Sequence, residues 1–223
     1  MLDSANLEQL AHCLDSYPIE GVTTNPTILK EIGDAPLRER LLQIRALCGS
    51  ERSLHVQLLA RDVPGMLQEA DAVYSLLGEN TYVKIPVTEP GLKAIQALKA
   101  AGKPVTATAV YYLSQALLAV AAGADYVAPY CNRMENHDID YRQIIEATRA
   151  LIDRDGYTAK IVAASFKNIA QVNEALACGA HAVTVAPELL RTPLASPLVE
   201  SAIRAFEDDF SLYHHDGLLR ALQ

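Results

Sequence analysis

Two hydrophobic periods alternate along this chain. Short runs rich in β-branched and apolar residues fall at 1–3, 21–24, 54–59, 82–86, 104–108, 126–129, 160–164 and 182–185. Between them apolar residues return at helical spacing, as in Leu37, Leu41 and Ile44, in Leu92, Ile95 and Leu98, and in Leu113, Leu117 and Leu118. A short apolar run bounded by turn signals marks a strand, and a 3.6-residue period marks a helix. Strict alternation of the two predicts parallel strands joined by helical crossovers. Eight such units in 223 residues predict an α/β fold with a closed (β/α)8 barrel, a TIM barrel, at the compact end of its size range. An open doubly wound sheet is the alternative, but no GxGxxG follows an early strand. The stretches 121–127 and 177–183 share one helix stop, with Gly123 or Gly179 as a left-handed cap before the next strand. No linker or low-complexity segment divides the chain. One domain over 1–223 is expected, with 197–223 as an extra C-terminal helix and tail. That last stretch follows the eighth strand, so it is free to pack outside the barrel or against a neighbour.

Charge and composition narrow the function classes. The net charge is -8, and no basic run occurs, which argues against nucleic acid or anionic membrane as a partner. No apolar run approaches the roughly 20 residues of a membrane span. Met1-Leu2-Asp3 places a carboxylate at the third position with no apolar segment behind it, which argues against a signal peptide. Cys13, Cys48, Cys131 and Cys178 are far apart and lack CxxC spacing. They read as reduced thiols in a cytoplasmic protein. His214, His215 and Asp216 read as a solvated tail, and His137 with Asp138 as a polar loop, so no metal is expected.

The candidate chemistry centres on Lys84. It stands inside the strand-like stretch Thr81-Tyr82-Val83-Lys84-Ile85-Pro86-Val87. Tyr82, Lys84 and Pro86 share one strand face, and Val83, Ile85 and Val87 the other. An ammonium in apolar surroundings must be paired, or it loses its proton. The neutral amine attacks carbonyls and forms Schiff bases. The competing reading is a strand-end lysine that reaches to solvent. In such barrels the active site lies at the C-terminal strand ends. Read in order, those ends offer Asp3, Thr23 with Asn25, Gln57, Lys84, Thr108, Tyr130 with Arg133, and Ser165 with Lys167. Each has a structural alternative. Asp3 would cap a helix, Thr23 to Pro26 would open one, and Gln57 and Thr108 would be core polar groups bonded to backbone. Tyr130 would be a packed aromatic, and Arg133 and Lys167 surface charges. Joint placement around one lysine favours a catalytic set. In that set Tyr130 carries protons, with water held by Gln57 and Thr108. Asp3 and Asn25 orient hydroxyls or the lysine, and Arg133, Lys167 and Ser165 hold an anionic end such as a phosphate.

The same residues carry a family resemblance. Gly21-Val22-Thr23-Thr24-Asn25-Pro26-Thr27-Ile28, Val83-Lys84-Ile85-Pro86-Val87-Thr88, Thr108-Ala109-Val110-Tyr111, Val127-Ala128-Pro129-Tyr130 with Asn132-Arg133, and Ala163-Ala164-Ser165-Phe166-Lys167 resemble the transaldolase family in order and spacing. The short length resembles its small-subunit branch, which contains fructose-6-phosphate aldolases and short transaldolases. The resemblance implies that Lys84 is the Schiff-base residue. It implies that Asp3, Thr23 and Asn25 contact substrate or the lysine, and that Arg133, Ser165 and Lys167 meet the phosphate. Transaldolases carry Glu where this chain has Gln57. The aldolase branch carries Gln there, and a tyrosine at the position of Tyr130 as its proton-transfer group. A glutamate accepts a proton from water and a glutamine only hydrogen-bonds, which fits that division. Thr106 is polar where the aldolase branch tends to be apolar, and Cys131 replaces an aliphatic residue, a packing change by strand alternation. The expected activity is cleavage of fructose 6-phosphate to dihydroxyacetone and glyceraldehyde 3-phosphate, and the reverse addition, without a cofactor. The alternatives are transfer of the dihydroxyacetone unit to another sugar phosphate, or a non-catalytic phosphosugar-binding barrel. The resemblance also implies a ring-like homo-oligomer such as a decamer, with the C-terminal helix at the subunit contact.

Overall fold

The computed structural model describes residues 1–33, 35–213 and 217–222. The predicted tail cluster of His214, His215 and Asp216 lies outside the described residues. The chain divides into two compact units, Met1–Pro187 and Glu188–Gln223.

The first unit carries eight strands: β1 (Leu2–Asp3), β2 (Gly21–Thr23), β3 (Ser53–Gln57), β4 (Thr81–Pro86), β5 (Val105–Val110), β6 (Tyr126–Pro129), β7 (Lys160–Ala163) and β8 (Ala182–Val183). They lie in sequence order, each parallel to the next. The circle is joined where Leu2 bridges Val185 and the Asp3 N–H donates to the Val185 carbonyl at 2.8 Å. This is the predicted (β/α)8 architecture, and every strand falls within two residues of its predicted bounds.

Helices cover the outside: α1 (Leu7–Ser16), α2 (Pro26–Glu31), α3 (Leu37–Cys48), α4 (Val63–Leu77), α5 (Glu89–Ala100), α6 (Leu113–Ala121), α7 (Cys131–Glu135), α8 (Tyr141–Asp155) and α9 (Ile169–Ala177). Their starts follow from local chemistry. Asn6, Asn25, Asp62, Thr88 and Asn168 each accept a backbone N–H three residues on, which satisfies a donor the helix cannot. Proline stands in the first turn of α2, α4 and α5, where its missing N–H costs nothing. Gly123 and Gly179 adopt φ of 90° and 99°, as their helix-stop pattern predicts.

Strand alternation divides the side chains into two sets. Val83, Ile85, Val105, Ala107, Val127 and Ile161 point outward into one apolar core with Met66, Ile95, Ala119 and Ile145 of the surrounding helices. Burial of this layer is the main stabilising term of the unit. The opposite face carries the polar residues of the site. Cys131 is fully buried in the outer core, in line with its reading as a packing residue. All four cysteines are among the described residues, and no disulfide joins them.

In the second unit, α11 (Pro197–Tyr213) is amphipathic and α12 (Leu218–Ala221) follows it, with α10 (Pro187–Arg191) at the unit's start. Ile203, Phe206, Phe210 and Leu218 line an apolar groove of about 510 Å³ between α11 and α12. Among the described residues no helix is long and apolar enough to cross a membrane.

Candidate active site

Lys84 does not reach to solvent. It is 6% exposed, and its Nζ donates to the Thr24 carbonyl at 2.9 Å. Burial pulls its pKa below the ordinary lysine value, opposed by the negative charge of Asp3. Desolvation therefore outweighs the single nearby carboxylate and favours the neutral amine.

Asp3 faces this lysine electrostatically. Burial raises its pKa, while Lys84 and a hydrogen bond from Thr23 lower it. The Thr23 hydroxyl donates to Asp3 Oδ1 at 2.6 Å and lies 2.7 Å from the Thr184 hydroxyl. The one proton of Thr23 is committed to Asp3, so Thr184 is the donor to Thr23. Asp3 is not a helix cap, since Asn6 caps α1. Asn25 takes the structural role: its carboxamide oxygen accepts the Ile28 N–H at 3.0 Å and starts α2. Its amide nitrogen is the part left for a ligand.

Gln57 sits in register with Lys84 across β3 and β4. Its Nε2 donates to the Leu58 and Lys84 carbonyls, at 3.1 and 3.0 Å. That leaves Oε1 as the acceptor toward substrate or water. Thr108 and Tyr130 share a hydrogen bond of 2.8 Å. Burial is the largest influence on the Tyr130 phenol and pushes its pKa up; the Thr108 bond and the Arg133 charge oppose this. The phenol is thus held protonated.

The anion-binding candidates gather at the ends of β6 and β7. Arg133 stacks its guanidinium 5.0 Å over the Tyr130 ring, and its Nη1 lies 3.5 Å from the Tyr111 hydroxyl. Ser165 adopts φ of 63°, and its carbonyl accepts the Asn132 N–H at 2.8 Å. This ties the Ser165 turn to the helix that carries Arg133. Lys167 is exposed, so its ammonium is open to an incoming anion.

Two members of the site lack a signal in the chain's patterns. Thr184 completes the hydroxyl chain to Asp3 from beyond β8. Gln171, 5% exposed, is the other. Its Oε1 accepts the Lys167 N–H at 2.8 Å, and its Nε2 donates to Asn132 Oδ1 at 3.2 Å and to Glu135. One side chain thus joins the two segments that bear the cationic groups. Its place in α9 reads as an ordinary helix position, and only the fold shows what it bridges. Among the described residues no group of three or more His, Cys, Asp or Glu side chains is placed to hold a metal.

Comparison with known proteins adds a relationship to this geometry. The family described as Transaldolase/Fructose-6-phosphate aldolase matches over residues 1–217. A curated protein of Streptococcus pneumoniae (strain ATCC 700669 / Spain 23F-1), named probable fructose-6-phosphate aldolase, is 46% identical over 210 residues, covering 94% of this chain and 95% of that protein. Among solved structures, a mandelate oxidase variant aligns with a TM-score of 0.57 at 16% identity, over 82% of this chain and 59% of its own. Inosine 5' monophosphate dehydrogenase from Legionella pneumophila aligns with a TM-score of 0.53 at 16% identity, over 75% of this chain and 50% of its own. At that identity the two structures share the fold alone, and this chain spans about half to three-fifths of their length.

Proposed function

The chain belongs to the transaldolase/fructose-6-phosphate aldolase family, and on that premise we propose that it is a class I aldolase. It cleaves fructose 6-phosphate to dihydroxyacetone and glyceraldehyde 3-phosphate and runs the reverse addition. The observation that carries the reading is Lys84, buried and shifted toward the neutral amine, with the neutral amide of Gln57 in register beside it, where transaldolases carry Glu.

Each step has a group to perform it. The Lys84 amine adds to the C2 carbonyl and gives a carbinolamine. Tyr130 donates its proton to the departing hydroxyl, water leaves, and an iminium remains. The resulting phenolate takes the proton of the C4 hydroxyl as the C3–C4 bond breaks. The bonding electrons move to C3, giving an enamine, and glyceraldehyde 3-phosphate departs. Tyr130 then protonates C3, and water adds to the renewed iminium with the phenolate accepting its proton. Collapse of that carbinolamine releases dihydroxyacetone and restores the amine. The iminium cation stabilises the phenolate that burial alone disfavours. Gln57 and Thr108 orient the water, Asp3, Thr23 and Asn25 hold the lysine and the sugar hydroxyls, and Arg133, Ser165 and Lys167 bind the phosphate. Lysine, tyrosine and ordered water suffice for this sequence, so it draws on no cofactor.

The partners are small sugar phosphates, ketones and aldehydes, not nucleic acid or a membrane. We further read the protein as a cytoplasmic homo-oligomer, decameric in the ring-like pattern of the family. In the isolated chain α11 leaves Leu198 82%, Phe206 70% and Leu212 81% exposed, a face that a second copy would cover. The deciding experiment supplies fructose 6-phosphate with no acceptor aldehyde and measures glyceraldehyde 3-phosphate. Steady release supports the aldolase. A single equivalent, with turnover only after erythrose 4-phosphate is added, supports transfer instead.

A further inference from the structure

His55 is a titratable group at the heart of the barrel that the mechanism above does not use. It is fully buried. Its ring stacks on Tyr82 at 4.7 Å and meets Tyr126 edge-on at 5.2 Å. Its Nδ1 lies 2.8 Å from the Thr106 hydroxyl, and its Nε2 lies 3.1 Å from the Ser53 hydroxyl. Strand register sets where this leads. Gln57 and Thr106 are the two cross-strand partners of Lys84. Partners in register share a sheet face, so Thr106 stands beside the lysine on the interior face. His55 is one alternation below Gln57 on β3.

The hydrogen bonds of this group have a direction. The Ser53 hydroxyl donates to the Glu20 carbonyl at 3.5 Å, and a carbonyl only accepts. Ser53 is therefore the acceptor for His55, and the imidazole proton sits on Nε2. Nδ1 is left bare and accepts from the Thr106 hydroxyl. Thr106 thus spends its only proton on His55 and keeps its oxygen lone pairs for the interior.

We propose that His55 is a positioning residue for the Schiff-base lysine: it turns the Thr106 hydroxyl so that an acceptor oxygen stands beside Lys84 on the interior face. The inference rests on the Schiff-base reading above. Its role is to steady the ammonium form of Lys84 from below, as Asp3 does from β1. Burial, aided by the charge of Lys84, lowers the His55 pKa to about 3, so the imidazole stays neutral and the direction of the chain holds at working pH. The titratable or charged groups facing His55 are Lys84 and Tyr82 on β4, Tyr126 on β6 and the Met1 ammonium. Those facing Lys84 are Asp3 on β1 and His55 on β3.

A pair that merely satisfied its own polar atoms would be replaceable by two apolar side chains without consequence for the lysine. The test therefore compares the wild-type chain with the double variant His55→Phe with Thr106→Val, and with Thr106→Ser. Each is incubated with dihydroxyacetone and cyanoborohydride across a pH series, and the adduct on Lys84 is counted by mass. The double variant is expected to melt within a few degrees of the wild type. Its midpoint for adduct formation is expected about one pH unit lower, roughly a tenfold change in free amine at a given acidic pH. Thr106→Ser keeps the hydroxyl and is expected to keep the wild-type midpoint. An unmoved midpoint in the double variant overturns the inference. So does a Thr106→Ser midpoint that moves as far as that of the double variant. If the wild type forms no adduct at any pH, the Schiff-base reading fails, and this inference fails with it.

Discussion

Tyr130 and Thr108 share one hydrogen bond of 2.8 Å, which allows the structural and chemical roles of the phenol to be separated. Tyr130→Phe and Thr108→Val break the same bond from opposite ends. A neutral hydrogen bond contributes about 1 kcal/mol. For a chain of this length that corresponds to a fall of about 2–4 °C in melting temperature, and both variants should show it. Only Tyr130→Phe removes the phenol to which we assign proton transfer. General acid–base catalysis contributes about 10²- to 10⁴-fold, or about 3–5 kcal/mol at 1.36 kcal/mol per decade. The cleavage rate of Tyr130→Phe should fall by that factor, while borohydride still traps an adduct with dihydroxyacetone on Lys84. Thr108→Val keeps the phenol and should lose about tenfold or less. Coupled detection of glyceraldehyde 3-phosphate measures the rates, and thermal melting measures the stabilities. A Tyr130→Phe rate within threefold of the wild type would refute the assignment. Equal losses in the two variants would also refute it, because the bond and not the proton would then be what matters.

Three further outcomes are expected. Lys84→Met should abolish cleavage and adduct formation yet raise thermal stability at neutral pH. The folded pKa of Lys84 lies below 10.5, so the unfolded chain binds the extra proton and stability rises with pH between the two values; melting curves should show the variant's advantage largest below the lowered pKa and shrinking toward pH 10.5. Gln57→Glu should introduce a base beside Lys84 and raise the ratio of transfer to release with erythrose 4-phosphate present, and an unchanged ratio would remove Gln57 from the division between the two reactions. Gln171→Leu unties Lys167 from Asn132 and should raise the KM for fructose 6-phosphate about tenfold, the equivalent of about 1.4 kcal/mol; trapping of dihydroxyacetone, which has no phosphate, provides the contrast.

Strand residues in this chain announce themselves because one face of each strand is packed by helices. That face reads as Leu, Val, Ile and Ala along the strands, so all eight strands stand out as apolar runs in the sequence. Lys84 was legible for the same reason, as a cation in an apolar run. The site residues that alternate with that face follow from period two and the rule that barrel sites gather at C-terminal strand ends. The dual part of Asn25 was only half legible: its sequence shows both a helix opener and a site residue, and the structure gives the opener to Oδ1. Thr184, Gln171 and His55 were not legible as partners of the site. Their bonds join residues 161, 39 and 51 positions apart, and no local period encodes such distances. The conformation of Ser165 at φ of 63° was equally hidden, since non-glycine residues seldom adopt it.

The hydroxyl chain from Thr184 through Thr23 to Asp3 lies on the seam where the barrel closes. The Met1 amino group bonds to the Val183 carbonyl across 182 positions of sequence. Contacts of that range carry the largest loop-closure cost, which must be met before they reward the chain. A chain still lacking β8 already holds Gln57, Lys84 and Thr108 in β3 to β5 and Tyr130 directly after β6, and it has no Thr184 to fix Thr23 and through it Asp3. On the Schiff-base reading, Asp3 then reaches its final setting near Lys84 only once the whole circle has been completed.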